Sequence, residues 1–243
     1  TADMLTIATG NSAYPPYVLD DKPESGQGFE AALALAVAKD MGFEGAAVKW
    51  VRTDFDSAVA GTADTFDFNL QQFTINADRE KVVSFSTPYY TANQAVLGYA
   101  TGAGASVKTL ADLKKLKLGA AAGTTSLQFI TDVIKPDVEP FAFNSNADAK
   151  TALDNKQIDA IVTDLPTALY ISAVEISGTK VFGQIPASAG GAGDSWGLLF
   201  KKDNPLAECA NLALADLKKS GDLDKITQQW MADYTQAPEL SVG

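Results

Sequence analysis

The chain alternates between short apolar runs and longer segments in which apolar residues recur every three or four positions. Runs of the first kind predict strands, and segments of the second kind predict helices. The predicted strands cover residues 5–9, 47–51, 66–70, 82–85, 116–120, 158–162 and 196–200, with a long extended segment at 89–97. The predicted helices cover residues 29–41, 55–60, 106–113, 129–134, 147–154, 165–171, 206–217 and 222–234. This order predicts an α/β fold with parallel sheets covered by helices on both faces.

The strand and helix pattern restarts after residue 100, which predicts two units rather than one. The charge distribution supports the same division. Residues 94–186 contain 8 Lys and 9 Asp or Glu, whereas the rest of the chain contains 11 Lys or Arg and 21 Asp or Glu. The negative charge therefore lies on the two flanking segments, which is consistent with these segments forming one lobe.

The composition is typical of a globular protein, since 46% of the 243 residues are hydrophobic and 20% are charged. This is enough apolar material for one large or two modest cores. The formal net charge is −11, and such a field repels phosphate backbones, so we expect no nucleic-acid partner. No apolar run in the sequence reaches the length of about 18 residues that predicts a transmembrane helix.

Two absences from the sequence exclude whole classes of site. The chain contains no histidine, which excludes Ser-His-Asp and Cys-His catalytic groups and His-ligated zinc. The single cysteine, Cys209, cannot form an intramolecular disulfide or a metal site built from several cysteines. Its helical spacing from Leu206 and Leu217 predicts a buried packing residue rather than a reactive thiol. We therefore expect no metal and no cofactor.

One long motif points to a known family. Residues 66–90 read FDFNLQQFTINADREKVVSFSTPYY, a strand and turn followed by an arginine and then by Val-x-Phe-Ser-x-Pro-Tyr. Shorter matches are YPPY at 14–17, GFE at 28–30, GTT at 123–125, DAIVTD at 159–164 and GDLDKI at 221–226. Over nearly its whole length the chain resembles the solute-binding proteins of polar amino-acid ABC importers, the glutamine-, arginine- and cystine-binding group of bacterial extracellular solute-binding family 3.

The resemblance implies a two-lobed periplasmic-binding-protein-like fold of type II, in which each lobe is a sheet covered by helices. Two hinge strands join the lobes, which close on one amino acid. On this basis we expect residues 1–93 and 187–243 to form the first lobe and residues 94–186 the second. The hinges are expected near residues 90–94 and 184–188.

A buried amino acid needs a cation for its carboxylate and an anion for its ammonium, because an unpaired buried charge is costly. By family analogy Arg79 binds the carboxylate, and its fork geometry suits that group. Thr74, five residues earlier, can add a donor. Without the motif, Arg79 would be interpreted as a surface residue pairing with Asp78 or Glu80. Asp164 follows an apolar strand and is the candidate anion for the ammonium, although it could also be a helix N-cap.

The resemblance adds further candidates. Gly123 precedes Thr124 and Thr125 between a strand and a helix, where backbone N–H groups suit a carboxylate, although threonine at such a position is commonly only a cap. Tyr14 and Phe55 match positions where the family stacks aromatic rings on the ligand, although aromatic residues are more often part of a core.

Departures from the family pattern bear on ligand specificity. Asn11 stands where many relatives have Asp, which compensates a cationic ligand side chain less well. Gln71 and Gln72 replace a small-residue pair and place amides near the expected pocket. Ala121 stands where some relatives carry Lys. Together these favour a neutral polar ligand, glutamine first and then cystine or another small polar amino acid, with acidic ligands such as glutamate left open.

The resemblance implies a non-catalytic, monomeric protein that delivers a free amino acid to a membrane ABC permease. A cyclohexadienyl-dehydratase-type enzyme shares the fold, but without histidine the sequence offers no general acid beyond Asp164. An excised receptor domain is a third reading. The first residues lack signal-peptide features, so the protein is either intracellular or the sequence begins after a removed signal. The family implies the second, with a periplasmic or lipid-anchored location on the outer face of the membrane.

Overall fold

A computed structural model describes residues 4–186, 189 and 193–241 of the chain. Strands β1 to β12 span, in order, Leu5–Gly10, Val48–Thr53, Phe68–Asn69, Val83–Phe85, Tyr90–Ala92, Gln94–Tyr99, Leu118–Ala121, Phe141–Phe143, Ala160–Asp164, Thr179–Gln184, Asp194–Trp196 and Leu199–Lys201. Helices α1 to α8 span Phe29–Asp40, Phe55–Val59, Leu110–Leu113, Thr125–Phe129, Asn146–Asp154, Leu165–Tyr170, Leu206–Ser220 and Asp222–Met231. Helices α4 and α6 each continue into a π-helical turn, Ile130–Ile134 and Ile171–Glu175.

The chain divides into two compact units. The first comprises Thr1–Thr91 and Ser195–Ala232, and the second comprises Ala92–Asp194 and Asp233–Gly243. Two of the boundaries lie within short strands, β5 and β11, which form a separate two-stranded sheet. Within the described residues no helix has the length and apolar character needed to cross a membrane.

The first unit is built on a five-stranded sheet of order β2-β1-β3-β12-β4. Strands β2 and β3 run parallel to β1, and β12 runs antiparallel to β3 and β4. Helix α1 begins after Gly28, whose φ of 110° is unfavourable for other residues. A Cβ at this glycine would lie 2.4 Å from the carbonyl oxygen of Tyr17. The helix therefore packs tightly against the loop that carries the YPPY motif.

The second unit is built on a sheet of order β10-β6-β9-β7-β8, in which β7, β8 and β9 are parallel and β6 is antiparallel to β9 and β10. Neighbouring residues of its central strands enter different cores. Val96 and Val162 belong to one apolar cluster, whereas Leu97 and Ile161 belong to another. Because successive side chains on a strand point to opposite faces, this sheet is covered on both faces. The fold is thus the predicted α/β architecture with two helix-covered sheets.

Several details differ from the sequence prediction. Both sheets are mixed rather than parallel, because alternation of elements does not fix the direction of β6 or β12. Strands β8 and β10 were not predicted, and the single strand predicted at 196–200 is two strands, β11 and β12. Cys209 is exposed rather than buried, because α7 buries a different face, formed by Ala210, Ala213, Leu214 and Leu217.

The C-terminal tail also differs from the prediction. Residues 233–241, expected in the first lobe, belong to the second unit. The backbone N–H of Leu240 donates to the carbonyl of Gln184, and that of Ser241 donates to the carbonyl of Lys108. The second predicted hinge, at 184–188, includes residues 187 and 188, which lie outside the described residues, and the boundary observed nearest to it lies within β11.

Candidate functional site

Arg79 lies in the first unit on a short 3₁₀ turn, Arg79–Lys81, and is only 8% exposed. Its Nη1 donates to the carbonyl of Thr74 at 2.8 Å, and its guanidinium carbon lies 5.4 Å from the ring centroid of Phe55. Asp78 pairs instead with Lys81, at 2.6 Å. The structure thus brings three predicted site residues together, and Arg79 is not the surface residue that the alternative interpretation described.

Phe55 begins helix α2 and stacks on Phe73, with ring centroids 5.1 Å apart and planes at 25°. The preceding residue, Asp54, accepts a hydrogen bond from the Nδ2 of Asn11 at 3.2 Å. Asn11 is exposed and follows the carboxyl end of β1. A carboxylate therefore lies beside the position that the sequence interpretation treated as uncharged.

The Gln71 side chain hydrogen-bonds to other side chains of the first unit. It is 9% exposed, and its Nε2 donates to the Oγ1 of Thr53 at 2.8 Å and to the Oδ1 of Asn69 at 3.1 Å. The Nδ2 of Asn69 donates to the same Thr53 oxygen. Both amide hydrogens of Gln71 thus bond to neighbouring side chains, which the sequence interpretation did not foresee.

Gln72 is held by a buried carboxylate that sequence reasoning missed. Glu30, in the first turn of α1, accepts hydrogen bonds from the Gln72 backbone N–H at 2.8 Å and from its Nε2 at 2.5 Å. It also accepts a short hydrogen bond from the Tyr89 hydroxyl. Burial raises the pKa of the Glu30 carboxyl from its ordinary value of 4.5 to about 7, although its hydrogen bonds act in the opposite direction. The Tyr14 hydroxyl lies 3.5 Å from the Oε1 of Gln72, so two more predicted site residues are neighbours.

The second unit places Asp164, at the end of β9, in a polar cluster centred on the buried Gln94. The Nε2 of Gln94 donates to the Oδ1 of Asp164 and to the Oδ2 of Asp194, each at 2.7 Å. The hydroxyl of Thr125 donates to the same Asp194 oxygen at 2.7 Å, and that of Ser126 donates to the Oε1 of Gln94 at 2.6 Å. Thr125 and Asp164 are therefore linked through two residues that sequence reasoning did not select.

Thr124 is the N-cap of α4. Its Oγ1 accepts from the N–H of Leu127 at 3.2 Å and donates to the carbonyl of Ala121 at 2.6 Å. This is the capping role that the sequence analysis kept open for it. Asp164 occupies the N-cap position of α6, where its side chain makes no capping hydrogen bond. Among the described residues no group of three or more Cys, Asp or Glu side chains is arranged to hold a metal ion.

Comparison with known proteins matches residues 5–233 to the family described as bacterial extracellular solute-binding proteins, family 3. The ABC transporter arginine-binding protein 1 of Escherichia coli (strain K12) is 28% identical over 231 residues, with 90% of this chain and 88% of the relative covered. The ABC transporter glutamine-binding protein GlnH of Bacillus subtilis (strain 168) is 31% identical over 217 residues, which cover 87% and 76% of the two chains.

Solved structures of amino-acid-binding proteins also resemble this chain. An ancestral arginine-binding protein bound to glutamine is 33% identical and superimposes with a TM-score of 0.79, covering 94% of this chain and 97% of that protein. The likeness therefore extends through both units.

Proposed function

Because this chain belongs to family 3 of the bacterial extracellular solute-binding proteins, we propose that it captures a free amino acid outside the cytoplasm and delivers it to a membrane ABC importer. Each unit supplies candidate ligand groups, Arg79 in the first and Asp164 in the second. The protein acts as a monomer, either in a periplasm or anchored by lipid to the outer face of the membrane.

The observation that carries this proposal is the buried Arg79 and its surroundings. The carbonyl of Thr74 and the face of Phe55 fix the guanidinium in one orientation, and a carboxylate is the ligand group that matches its planar fork. An arginine held on a rigid scaffold loses little conformational freedom when it binds. Arg79 therefore receives the carboxylate of the amino acid, with Thr74 beside it.

Asp164 in the second unit receives the ammonium. Gln94 fixes this carboxylate by a hydrogen bond from its amide, and Ser126 in turn fixes Gln94. A neutral donor orients the carboxylate without cancelling its charge, so the attraction for an ammonium is kept. Backbone N–H groups at Thr124 and Thr125 supply further donors for the carboxylate of the ligand.

The sequence favours a neutral polar ligand, glutamine first, because Asn11 is uncharged, Gln71 and Gln72 supply amides, and Ala121 stands where some relatives carry Lys. A cationic amino acid is the second candidate, and two contacts favour it. Asp54 lies beside Asn11 in the first unit, and Asp194 shares the Gln94 amide with Asp164 in the second. A ligand with one additional positive charge would compensate such a carboxylate, whereas glutamine would not.

A ligand screen tests the proposal directly. Thermal unfolding is measured with each of the twenty amino acids, cystine, ornithine and citrulline, because a ligand that binds only the native state raises Tm by mass action. Calorimetry then gives Kd for each ligand that raises Tm. We expect binding by glutamine or by a cationic amino acid. No binding by any of these compounds would overturn the proposal, as would turnover of prephenate or arogenate, the substrates expected of a dehydratase on this fold.

Substitution of Arg79 tests the site. We expect Arg79→Ala to weaken binding by more than about tenfold, or 1.4 kcal/mol, because the carboxylate loses a bidentate charged partner. Lys81→Ala is the matched control, because Lys81 lies in the same 3₁₀ turn but is exposed and pairs with Asp78. Calorimetry on both variants measures the effect. Binding by Arg79→Ala within tenfold of the original Kd would remove Arg79 from the site.

A further inference from the structure

Glu30 is a buried carboxyl group that bonds directly to one candidate ligand residue, Gln72, and through it to a second, Tyr14. It is 2% exposed, and its two oxygens accept hydrogen bonds from three donors: the Gln72 backbone N–H, the Gln72 side-chain amide and the Tyr89 hydroxyl. The Gln72 amide reaches Glu30 with its nitrogen and the Tyr14 hydroxyl with its oxygen. A chain of contacts therefore runs from Glu30 through Gln72 to Tyr14.

The backbone at Gln72 makes this link sensitive to Glu30. Its φ is 51°, in the left-handed region that residues other than glycine rarely adopt. The bond from its N–H to Glu30 helps to hold that conformation. Thr74, whose carbonyl orients Arg79, lies two residues further along. A weaker bond between Gln72 and Glu30 would therefore change the positions of both Tyr14 and the loop that supports Arg79.

The charge of Glu30 is set by few groups. Among the described residues, the titratable side chain that hydrogen-bonds to it is Tyr89. The loop at 71–74 contributes the neutral Gln72, and the Tyr17 carbonyl accepts from the Glu30 backbone N–H. Among the described residues no Lys or Arg forms an ion pair with it. Burial accordingly raises the pKa of Glu30 to about 7. The chain has no histidine, the side chain that ordinarily titrates in this range.

The hydrogen-bond pattern fits the ionised form, because all three partners donate to it. A protonated Glu30 itself donates one hydrogen bond. A proton on Oε2, the oxygen that the Gln72 amide contacts, faces the amide nitrogen, which is also a donor. The conflict is relieved when the amide turns over, so that its oxygen accepts from Glu30 and its nitrogen faces the Tyr14 hydroxyl. Gln72 would thus present a different group to Tyr14 in each charge state of Glu30.

We propose that Glu30 is a positioning residue of the amino-acid site, whose charge state sets the orientation of Gln72 and Tyr14 and thereby makes ligand affinity depend on pH near neutrality. This inference rests on the proposed function. The ionised form, which matches the observed contacts, is the high-affinity form. Binding therefore weakens when the pH falls through the range in which Glu30 takes up a proton.

The test is the pH profile of Kd for two probes, glutamine and arginine, measured by calorimetry from pH 6 to pH 8. Free amino acids of both kinds keep their charges over this range. We expect the affinity of the unmodified protein to fall about fivefold from pH 8 to pH 6, the equivalent of one hydrogen bond. Glu30→Gln, which mimics the protonated form, is expected to bind with a flat profile near the low-pH value.

Two further variants separate this role from a merely structural one. Gln72→Met keeps the side-chain length but removes the amide, so the profile should flatten while Glu30 remains, and this variant carries the test if Glu30→Gln does not fold. Asp78→Asn, an exposed acid paired with Lys81, should keep the original profile. Binding that is independent of pH in the unmodified protein, or a profile unchanged in both Glu30→Gln and Gln72→Met, overturns the inference and leaves the proposed function intact. Absence of binding at every pH overturns both.

Discussion

Replacing Glu30 by Gln should change how the stability of the protein depends on pH. Burial raises the pKa of this carboxyl from 4.5 to about 7, so the native state holds the proton more tightly than the unfolded chain. The resulting stabilisation is fully present below pH 4.5 and is lost as the pH rises through 7. At about 1.4 kcal/mol for each unit of pKa difference, the complete effect is about 3 kcal/mol. Most of it falls between pH 5 and pH 8.

The assay is urea unfolding followed by tryptophan fluorescence at both pH values. Trp50, Trp196 and Trp230 all belong to the first unit, so the signal reports the unit that contains Glu30. The free energy of unfolding is compared between the two proteins. We expect the difference between the unmodified protein and Glu30→Gln to change by about 2 to 3 kcal/mol from pH 5 to pH 8.

Exposed acids do not disturb this comparison. Hydrogen bonds and nearby lysines lower the pKa of Asp78 and Asp222, and their contribution is lost as the pH falls, which is the opposite direction. Both proteins contain these groups, so their effect cancels in the difference. A difference that stays constant within about 0.5 kcal/mol would refute the reasoning, because Glu30 would then titrate alike in the folded and unfolded states.

Two further substitutions test local structure, and urea unfolding measures both. Gly28→Ala should lower the free energy of unfolding by about 3 kcal/mol, because the new Cβ would lie 2.4 Å from the Tyr17 carbonyl. Gly42→Ala is the control, because Gly42 has a φ of 89° but open space around it, and its free energy of unfolding should fall by about 1 kcal/mol. Equal losses in the two variants would show that the contact with Tyr17 is not the cause. Thr124→Ala should lower the free energy of unfolding by about 1 kcal/mol, because α4 loses its N-cap. Thr124→Ser keeps the hydroxyl and should restore the stability. A Ser variant as unstable as the Ala variant would argue against capping.

The sequence was sufficient for the α/β class and for most helices, because these depend on local periodicity. The sequence could not predict which strands run parallel and which run antiparallel. A short apolar run such as Leu199–Lys201 has no feature that distinguishes parallel from antiparallel pairing. Exposure of Cys209 was mispredicted for a related reason, since α7 carries apolar residues on more than one face and packing selects the buried one.

The two halves of the candidate site differ in how far they could be predicted. Arg79 and Thr74 are five residues apart, and their contact follows from the turn between them. Glu30 meets Gln72 and Tyr89 across 42 and 59 residues of sequence. Locally Glu30 resembles any acid in the first turn of a helix. Only the tertiary arrangement shows it as buried, and only the tertiary arrangement brings Asp194 to Gln94.

The position of β12 has a consequence for how the nascent chain matures on the ribosome. This strand lies between β3 and β4, so β4 lacks its partner in the sheet until residues 199–201 have been synthesised. At about 5–20 residues per second, β4 waits on the order of ten seconds after it is made. All five strands of the other sheet lie between Gln94 and Gln184, so they are available earlier. The later-closing sheet therefore exposes a strand edge until these residues are made, and an unpaired strand edge is a template for aggregation.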